Sequence, residues 1–311
     1  MVVLVTDHFT TEALSQLQHK LKCEIRRSAG HCPSAGELRD VELMLIRSRT
    51  RIDKNLLELA PRLKAVVTAT SGYDHIDREE CEKRGVKACY TPDANFNAAA
   101  ELTLMLMLSS LRRASAITRT LRELKWKDAL NPGQELRGKT VGIIGLGRVG
   151  ARVAELVKAF GAEVIAHDPY VDDARFKNLG IARLGLTEVY VQSDILSFHV
   201  PLTRETRHML NPGTLEHCKE GFILINTSRG EVVDEGALTA ALTSGQIAAA
   251  GLDVFEHEPL ARESRLRKMP QVVLTPHVGA FTDEALRRAS ELAVYSLIDP
   301  STAVPVPKDP A

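Results

Sequence analysis

Short aliphatic and β-branched runs alternate with apolar residues at helical spacing along nearly the whole chain. Residues 2–5 read as a strand, Leu14, Leu17 and Leu21 mark one face of a helix, and residues 41–46 read as a second strand. A helix over 55–60, a strand over 63–68, a helix over 76–84 and a strand over 86–90 continue the series. Repeated strand–helix units predict open parallel sheets covered on both faces, an α/β fold of the doubly wound kind.

Near Pro92 the pattern changes. Asn97 is placed to cap a helix whose apolar residues are Ala100, Leu102, Leu104, Met105, Leu108, Leu111, Ile117, Leu121 and Leu124. This helix reaches about Trp126, with a bend expected at Ser109 and Ser110. Apolar on more than one side, it either joins two domains, packs on a second subunit or lies in a core. The alternation then resumes with strands over 141–144, 163–166, 195–200, 222–226, 247–254 and 272–275, and with helices over 212–219 and 235–243. From Thr282 a helix carries Ala285, Leu286, Ala289, Leu292 and Leu297 along one side. It comes too late to extend the second sheet, so it is expected to return to the first. The expected division is 1–96 for the first domain, 97–281 for the second and 282–311 for the returning helix and an unpacked Pro-rich tail.

Length and composition agree with two domains. The chain has 311 residues, with Lys plus Arg and Asp plus Glu equal at 40 each, so no basic surface points to nucleic acid. No apolar stretch approaches the roughly 18 residues of a membrane helix, and Met1–Val5 lacks a basic leader, so a cytoplasmic protein is expected. Five cysteines without CxxC spacing read as reduced thiols, with no metal site.

One stretch carries chemistry by itself. The strand over 141–144 runs into Gly145-Leu-Gly147-Arg-Val-Gly150, a helical pattern follows, and the next strand ends at Asp168. Gly145 permits a tight turn, Gly147 lets backbone approach a pyrophosphate, and Gly150 allows close helix–strand packing. The first helical amides would face the anion, and Asp168 would accept the adenosine ribose hydroxyls. An isolated GxGxxG is an ordinary turn as often as not, but here the flanking strand, helix and acid point to a dinucleotide. Asp168 opposes a 2′-phosphate, and Pro169-Tyr170-Val171 offers no arginine to offset it, so NAD is expected over NADP.

Ligands of such sheets bind beyond the carboxyl ends of the strands. Those positions hold Arg229, the segment 253–259 and His277. Singly, Arg229 reads as a surface ion-pair partner, Glu258 as a loop carboxylate and His277 as a satisfied histidine. Together they suffice for hydride transfer at a carbon bearing a hydroxyl. A guanidinium fork holds the carboxylate, an imidazole carries the hydroxyl proton, and Glu258 favours the charged imidazole.

At these residues the chain resembles the D-isomer-specific 2-hydroxyacid dehydrogenase family, most closely its D-3-phosphoglycerate dehydrogenase branch. The similar segments are HVPLTRETRHML from His199, INTSRGEVVDEGAL from Ile225, AAGLDVFEHEPL from Ala249 and LTPHVGAFTDEA from Leu274, with the GLGRVG turn. The resemblance implies that Arg229, Glu258 and His277 are catalytic. It implies that Arg148 and Val149 touch the pyrophosphate, that Thr227, Ser228, Asp253 and Gly279 lie on the nicotinamide side, and that Pro201 and Thr206 bind cofactor. Ser71, Gly72 and Asn95 would hold the substrate, the first two in a loop whose amides receive its carboxylate.

It further implies a Rossmann-type cofactor domain inserted in a flavodoxin-like substrate domain, and a homodimer or homotetramer. A small 2-hydroxy or 2-keto acid would be the partner, with no nucleic acid or membrane. The branch has an arginine-containing loop at Arg47 and Arg49, which suggests 3-phosphoglycerate and serine biosynthesis; solvent-facing or ion-paired arginines are the alternative. No counterpart of the C-terminal regulatory domain of many serine-pathway members is expected. A non-catalytic NAD(H)-binding sensor resembling the family's corepressors is the alternative function.

Overall fold

The apolar runs form two sheets, seen in a computed structural model that describes residues 1–307. By contacts the chain separates into two compact units, Met1–Phe96 together with the chain from Ala280 on, and Asn97–Gly279.

In the first unit the parallel strands are β1 (Val2–Val5), β2 (Glu24–Arg27), β3 (Leu43–Ile46), β4 (Ala65–Thr68) and β5 (Lys87–Tyr90). Between them lie α1 (Thr11–Leu21), α2 (Ala35–Leu38), α3 (Lys54–Leu59) and α4 (Arg78–Lys83). Thr10, Ser34, Asp53 and Asp77 start these helices by accepting first-turn amides on their side chains. Strand residues alternate between faces, so Val3, Val5, Leu45 and Val67 join one core with Leu14 and Leu17, while Leu4, Met44, Ile46 and Val66 join another with Leu56 and Leu57.

The second unit begins with α5 (Phe96–Leu111) and α6 (Ala114–Arg122). It continues through β6 (Thr140–Ile144), α7 (Arg148–Ala159), β7 (Glu163–His167), α8 (Asp173–Leu179), β8 (Ala182–Arg183), α9 (Leu186–Gln192) and β9 (Ile195–Phe198). It closes with α10 (Pro212–Leu215), β10 (Phe222–Asn226), α11 (Glu235–Ser244), β11 (Ile247–Leu252) and β12 (Val272–Leu274). The parallel sheet has the order β12-β11-β10-β9-β6-β7-β8. Direction of travel reverses between β6 and β9, the switch point where such sheets open a crevice at their carboxyl edge.

The chain then gives α12 (Asp283–Ile298), capped by Thr282, and β13 (Val304–Pro305). Ala289, Ala293, Val294 and Leu297 of α12 pack with α1 and the first sheet. Leu292, expected on the buried side, is 40% exposed.

Three expectations need correction. The long helix is two helices, broken after Leu111 where Arg113 adopts a left-handed φ of 54°, and Asn97 lies inside α5 with its amide on Glu101 and Arg152. The Pro-rich end is packed as far as it is described: β13 pairs antiparallel with β5, and Val306 is buried. The rest of the expected tail, 308–311, lies outside the described residues.

Candidate active site

The glycine turn joins β6 to α7. Gly145 has φ 92°, and a Cβ there would come within 2.5 Å of the His199 carbonyl oxygen; a Cβ on Gly150 would lie 2.0 Å from the Gly145 oxygen. Both glycines are therefore required for packing. Gly147 differs: a Cβ there would meet nothing within 4 Å, so its backbone faces open space. It is also the N-cap of α7 and gives no side-chain cap. A cradle of this kind, lined by helix-start amides and bordered by exposed Arg148 and half-buried Val149, fits a pyrophosphate.

Asp168 follows β7 and is 9% exposed. Its Oδ2 accepts from the Leu146 amide at 2.8 Å, and Oδ1 accepts from Tyr170 at 2.9 Å and Val171 at 3.2 Å. A carboxylate has about four acceptor positions, so room remains for a ribose hydroxyl, but Asp168 also pins the glycine turn. Sequence reasoning missed its surroundings. Arg175 donates to the Leu146 and Gly147 carbonyls at 3.2 and 3.3 Å, and Arg183 to the Asp168 carbonyl at 3.3 Å. Two arginines thus brace the glycine turn and Asp168, one from α8 and one from β8, elements the hydrophobic pattern did not reveal. Beyond β9, Thr206 donates to the Pro201 carbonyl at 2.6 Å, which closes the loop carrying both.

At the carboxyl end of β10, buried Asn226 builds the turn. Its Oδ1 accepts from the Ser228 amide and hydroxyl at 3.0 and 2.9 Å, and its Nδ2 donates to the Arg229 carbonyl at 2.8 Å. Ser228 is spent within that turn, and Thr227 shares a 2.8 Å hydroxyl contact with Thr103 of α5. Asp253 after β11 is 1% exposed. It accepts from the Thr275 hydroxyl at 2.6 Å and from the Val278 and Gly279 amides at 2.8 Å, while its own carbonyl accepts from the His277 amide at 2.8 Å. Its carboxylate therefore acts through the loop it holds, and that loop carries His277 at a left-handed φ of 53°. A non-glycine residue in that region is strained, and persists only where the surroundings fix it.

His277 and Glu258 meet directly, Nδ1 to Oε2 at 2.7 Å, and Glu258 Oε1 accepts the Phe255 amide at 3.1 Å. The hydrogen bond to Glu258 raises the His277 pKa above its ordinary value, against burial and the Arg229 charge. Burial pushes Glu258 upward, but the hydrogen bond and charge of His277 outweigh it and hold the carboxyl below the usual range. Arg229 acts electrostatically on both members of the pair, and its Nη1 donates to the Ser228 carbonyl at 2.7 Å. With Nδ1 engaged by the carboxylate, Nε2 is the nitrogen left to exchange a proton.

In the first unit Ser71 hydrogen-bonds Asn95 and donates to the Pro92 carbonyl at 3.1 Å, while the Gly72 carbonyl accepts the Thr70 hydroxyl at 2.7 Å. These three candidates thus occupy one place. Arg47 and Arg49 are not equivalent. Arg49 is exposed, whereas Arg47 is half-buried and its Nη1 is buried with no hydrogen-bond partner among the described residues. Burial holds the Arg47 guanidinium below its ordinary range; Thr6 pairs with Leu45 one step beyond β1, so Asp7 follows beside Arg47, and its charge opposes that shift without overcoming it. Asp7 also stands 3.4 Å from His31. No cluster of metal-ligating side chains occurs among the described residues.

The model of the D-isomer-specific 2-hydroxyacid dehydrogenase NAD-binding domain matches residues 104–279. The D-3-phosphoglycerate dehydrogenase of Mycobacterium tuberculosis is 40% identical over 288 residues, 93% of this chain and 54% of that protein. The hydroxypyruvate reductase of Thermotoga maritima is 38% identical over 291 residues, 92% of this chain and 94% of that protein. Among solved structures, a D-lactate dehydrogenase from Aquifex aeolicus complexed with NAD and lactic acid superimposes with a TM-score of 0.86 at 30% identity, covering 99% of this chain and 100% of that one. The chain spans about half the length of the phosphoglycerate dehydrogenases it matches.

Proposed function

Because the chain belongs to the D-isomer-specific 2-hydroxyacid dehydrogenase family, we propose that it interconverts a small D-2-hydroxy acid and its 2-keto acid with NAD. The observation that carries this reading is the 2.7 Å His277–Glu258 pair, with Arg229 close enough to act on both charges. In reduction the protonated imidazole gives its Nε2 proton to the carbonyl oxygen, and in oxidation neutral Nε2 takes the hydroxyl proton. Glu258 fixes the tautomer and stabilises the imidazolium, while the Arg229 guanidinium holds the carboxylate and polarises the carbonyl. A bound nicotinamide would supply or accept the hydride. Gly147 and the first amides of α7 would hold its pyrophosphate and Asp168 its ribose; Thr227, Ser228 and the Asp253-braced loop to Gly279 would flank the ring.

The decisive experiment is NADH oxidation with a panel of 2-keto acids, using His277→Ala as control. Turnover of at least one acid that collapses in the variant supports the reading. NADH binding without turnover of any acid would return the protein to the sensor alternative, which the enzyme names of its relatives do not favour.

Among the acids, we propose a phosphorylated one for the arginines after β3, 3-phosphoglycerate being the candidate. The unpartnered Nη1 of Arg47 supports it, while the neighbouring Asp7 charge works against a dianion. We also propose a homodimer or homotetramer formed through the second unit. No residue of α6 is buried, and Ile117, Leu121, Leu124 and Trp126 are 45, 61, 96 and 69% exposed, a row of large apolar side chains that a subunit contact would cover. All five cysteines are unpaired thiols, which fits a reducing cytoplasm. No helix among the described residues is long and apolar enough to cross a membrane.

A further inference from the structure

The loop that carries Glu258 is held by a second histidine–carboxylate pair. His208, in the segment after β9, places Nε2 2.8 Å from Oε1 of Glu256, and the same oxygen accepts the Glu235 amide at the start of α11 at 3.1 Å. The backbone of this loop lies against Gly230, where a Cβ would fall 1.9 Å from the Phe255 carbonyl carbon and 2.5 Å from the Glu256 nitrogen. His208 is itself in a left-handed conformation, φ 50°, with its amide on the Glu231 carbonyl at 2.8 Å. So Glu256 faces α11 and His208 while Glu258, two residues on, faces His277. The other ionisable groups around Glu256 are Glu235, whose carboxyl is raised by burial and by the Glu256 charge, the α11 cap Asp234, and exposed His257. At 2.8 Å the His208 ring nitrogen is within full hydrogen-bond distance of the Glu256 carboxylate, and a hydrogen bond to a carboxylate is among the stronger kind.

We propose that His208 and Glu256 are positioning residues that lock the turn from Phe255 to Glu258, so that Glu258 stays on His277 through the reaction. This rests on the reading of His277 and Glu258 as the proton-transfer pair. Neither residue need touch substrate or cofactor; they act through the backbone between two glutamates.

The test uses the full-length chain with Glu256→Ala, Glu256→Gln, His208→Ala and the double alanine variant, and Glu258→Gln as reference. For each, kcat, KM for NADH and keto acid, and the pH profile of reduction are measured. Glu256→Ala should lower kcat by about ten- to a hundredfold, as expected for a misplacement near 1 Å, with KM for NADH little changed. Its alkaline limb should move the same way as in Glu258→Gln. Glu256→Gln, which keeps the acceptor oxygen, should recover most of the activity, and the double variant should be no worse than the more damaging single one. NADH titration and thermal melting establish that each variant is folded; should Glu256→Ala fail to fold, His208→Ala must show the same shift of the limb. An unmoved limb in folded Glu256→Ala or His208→Ala beside a moved one in Glu258→Gln overturns the proposal alone, as do additive losses in the double variant. An unmoved limb in Glu258→Gln overturns the catalytic reading, and the proposal with it.

Discussion

Gly230→Ala tests how tightly the loop that carries Glu258 is seated. The added Cβ would stand 1.9 Å from the Phe255 carbonyl carbon and 2.1 Å from its oxygen, while separations under 3.0 Å are essentially never seen. Both neighbours are backbone atoms, and Phe255 is 7% exposed, so no flexible side chain can swing aside. Something must move by about 1 Å, and overpacking of that kind costs about 1–3 kcal/mol. Phe255 donates its amide to Glu258, so the displacement passes straight to the carboxylate that holds His277. A misplacement of about 1 Å is enough for a loss near 10²-fold in turnover. The assay is kcat for the preferred keto acid, together with a thermal melt and an NADH titration. The expected outcome is a lowered melting temperature, a kcat reduced by about two orders of magnitude, and near-normal affinity for NADH, because the glycine turn is on other strands. Wild-type kcat in folded Gly230→Ala would show that the loop tolerates movement and refute the argument.

Other outcomes follow from the same geometry. His277→Ala should lower turnover by ~10²–10⁴-fold while NADH still binds, since it removes the proton carrier only; near-normal turnover would contradict the assignment. Glu258→Gln removes the interactions that raise His277, so the imidazole loses its proton at lower pH and the alkaline limb of keto-acid reduction shifts to lower pH, read from kcat against pH. The protein should prefer NAD to NADP by kcat/KM. Asp168→Ala should narrow that preference and also lower the melting temperature, because three backbone amides lose their acceptor. Arg47→Ala should reduce kcat/KM for 3-phosphohydroxypyruvate more than for hydroxypyruvate, by about 1.5–3 kcal/mol; equal losses would make Arg47 structural.

What was legible in the chain depended on whether its cause was local. The glycine turn, the strand ends bearing Arg229 and His277, and most central strands follow from residue type and spacing. The edge strand β2 did not, because Glu24-Ile-Arg-Arg has only one apolar residue and reads as a charged loop, the usual guise of an edge. The region over 169–194 hides two short helices and a two-residue strand, each below the length at which periodicity is informative. The break at Arg113 was invisible because a left-handed arginine leaves no mark in composition. Glu256 and His208 were missed for another reason: they are 48 positions apart, and only the fold brings them to 2.8 Å. Asp253 was picked out, yet its engagement with three groups of the His277 loop needed coordinates.

The discontinuity of the first unit sets an order on its assembly at the ribosome. Val3, Val5, Leu14 and Leu17 share their core with Ala289, Ala293, Val294 and Leu297. The nascent amino-terminal sheet therefore waits, one face covered only in part by α1, until α12 has been synthesised. At ~5–20 residues per second that interval is on the order of ten seconds to a minute, during which the intervening unit, continuous in sequence from Asn97 to Gly279, can complete its own core. The half made first is thus the half finished last, and its exposed β1 and α1 faces are where a chaperone would be expected to engage the growing chain.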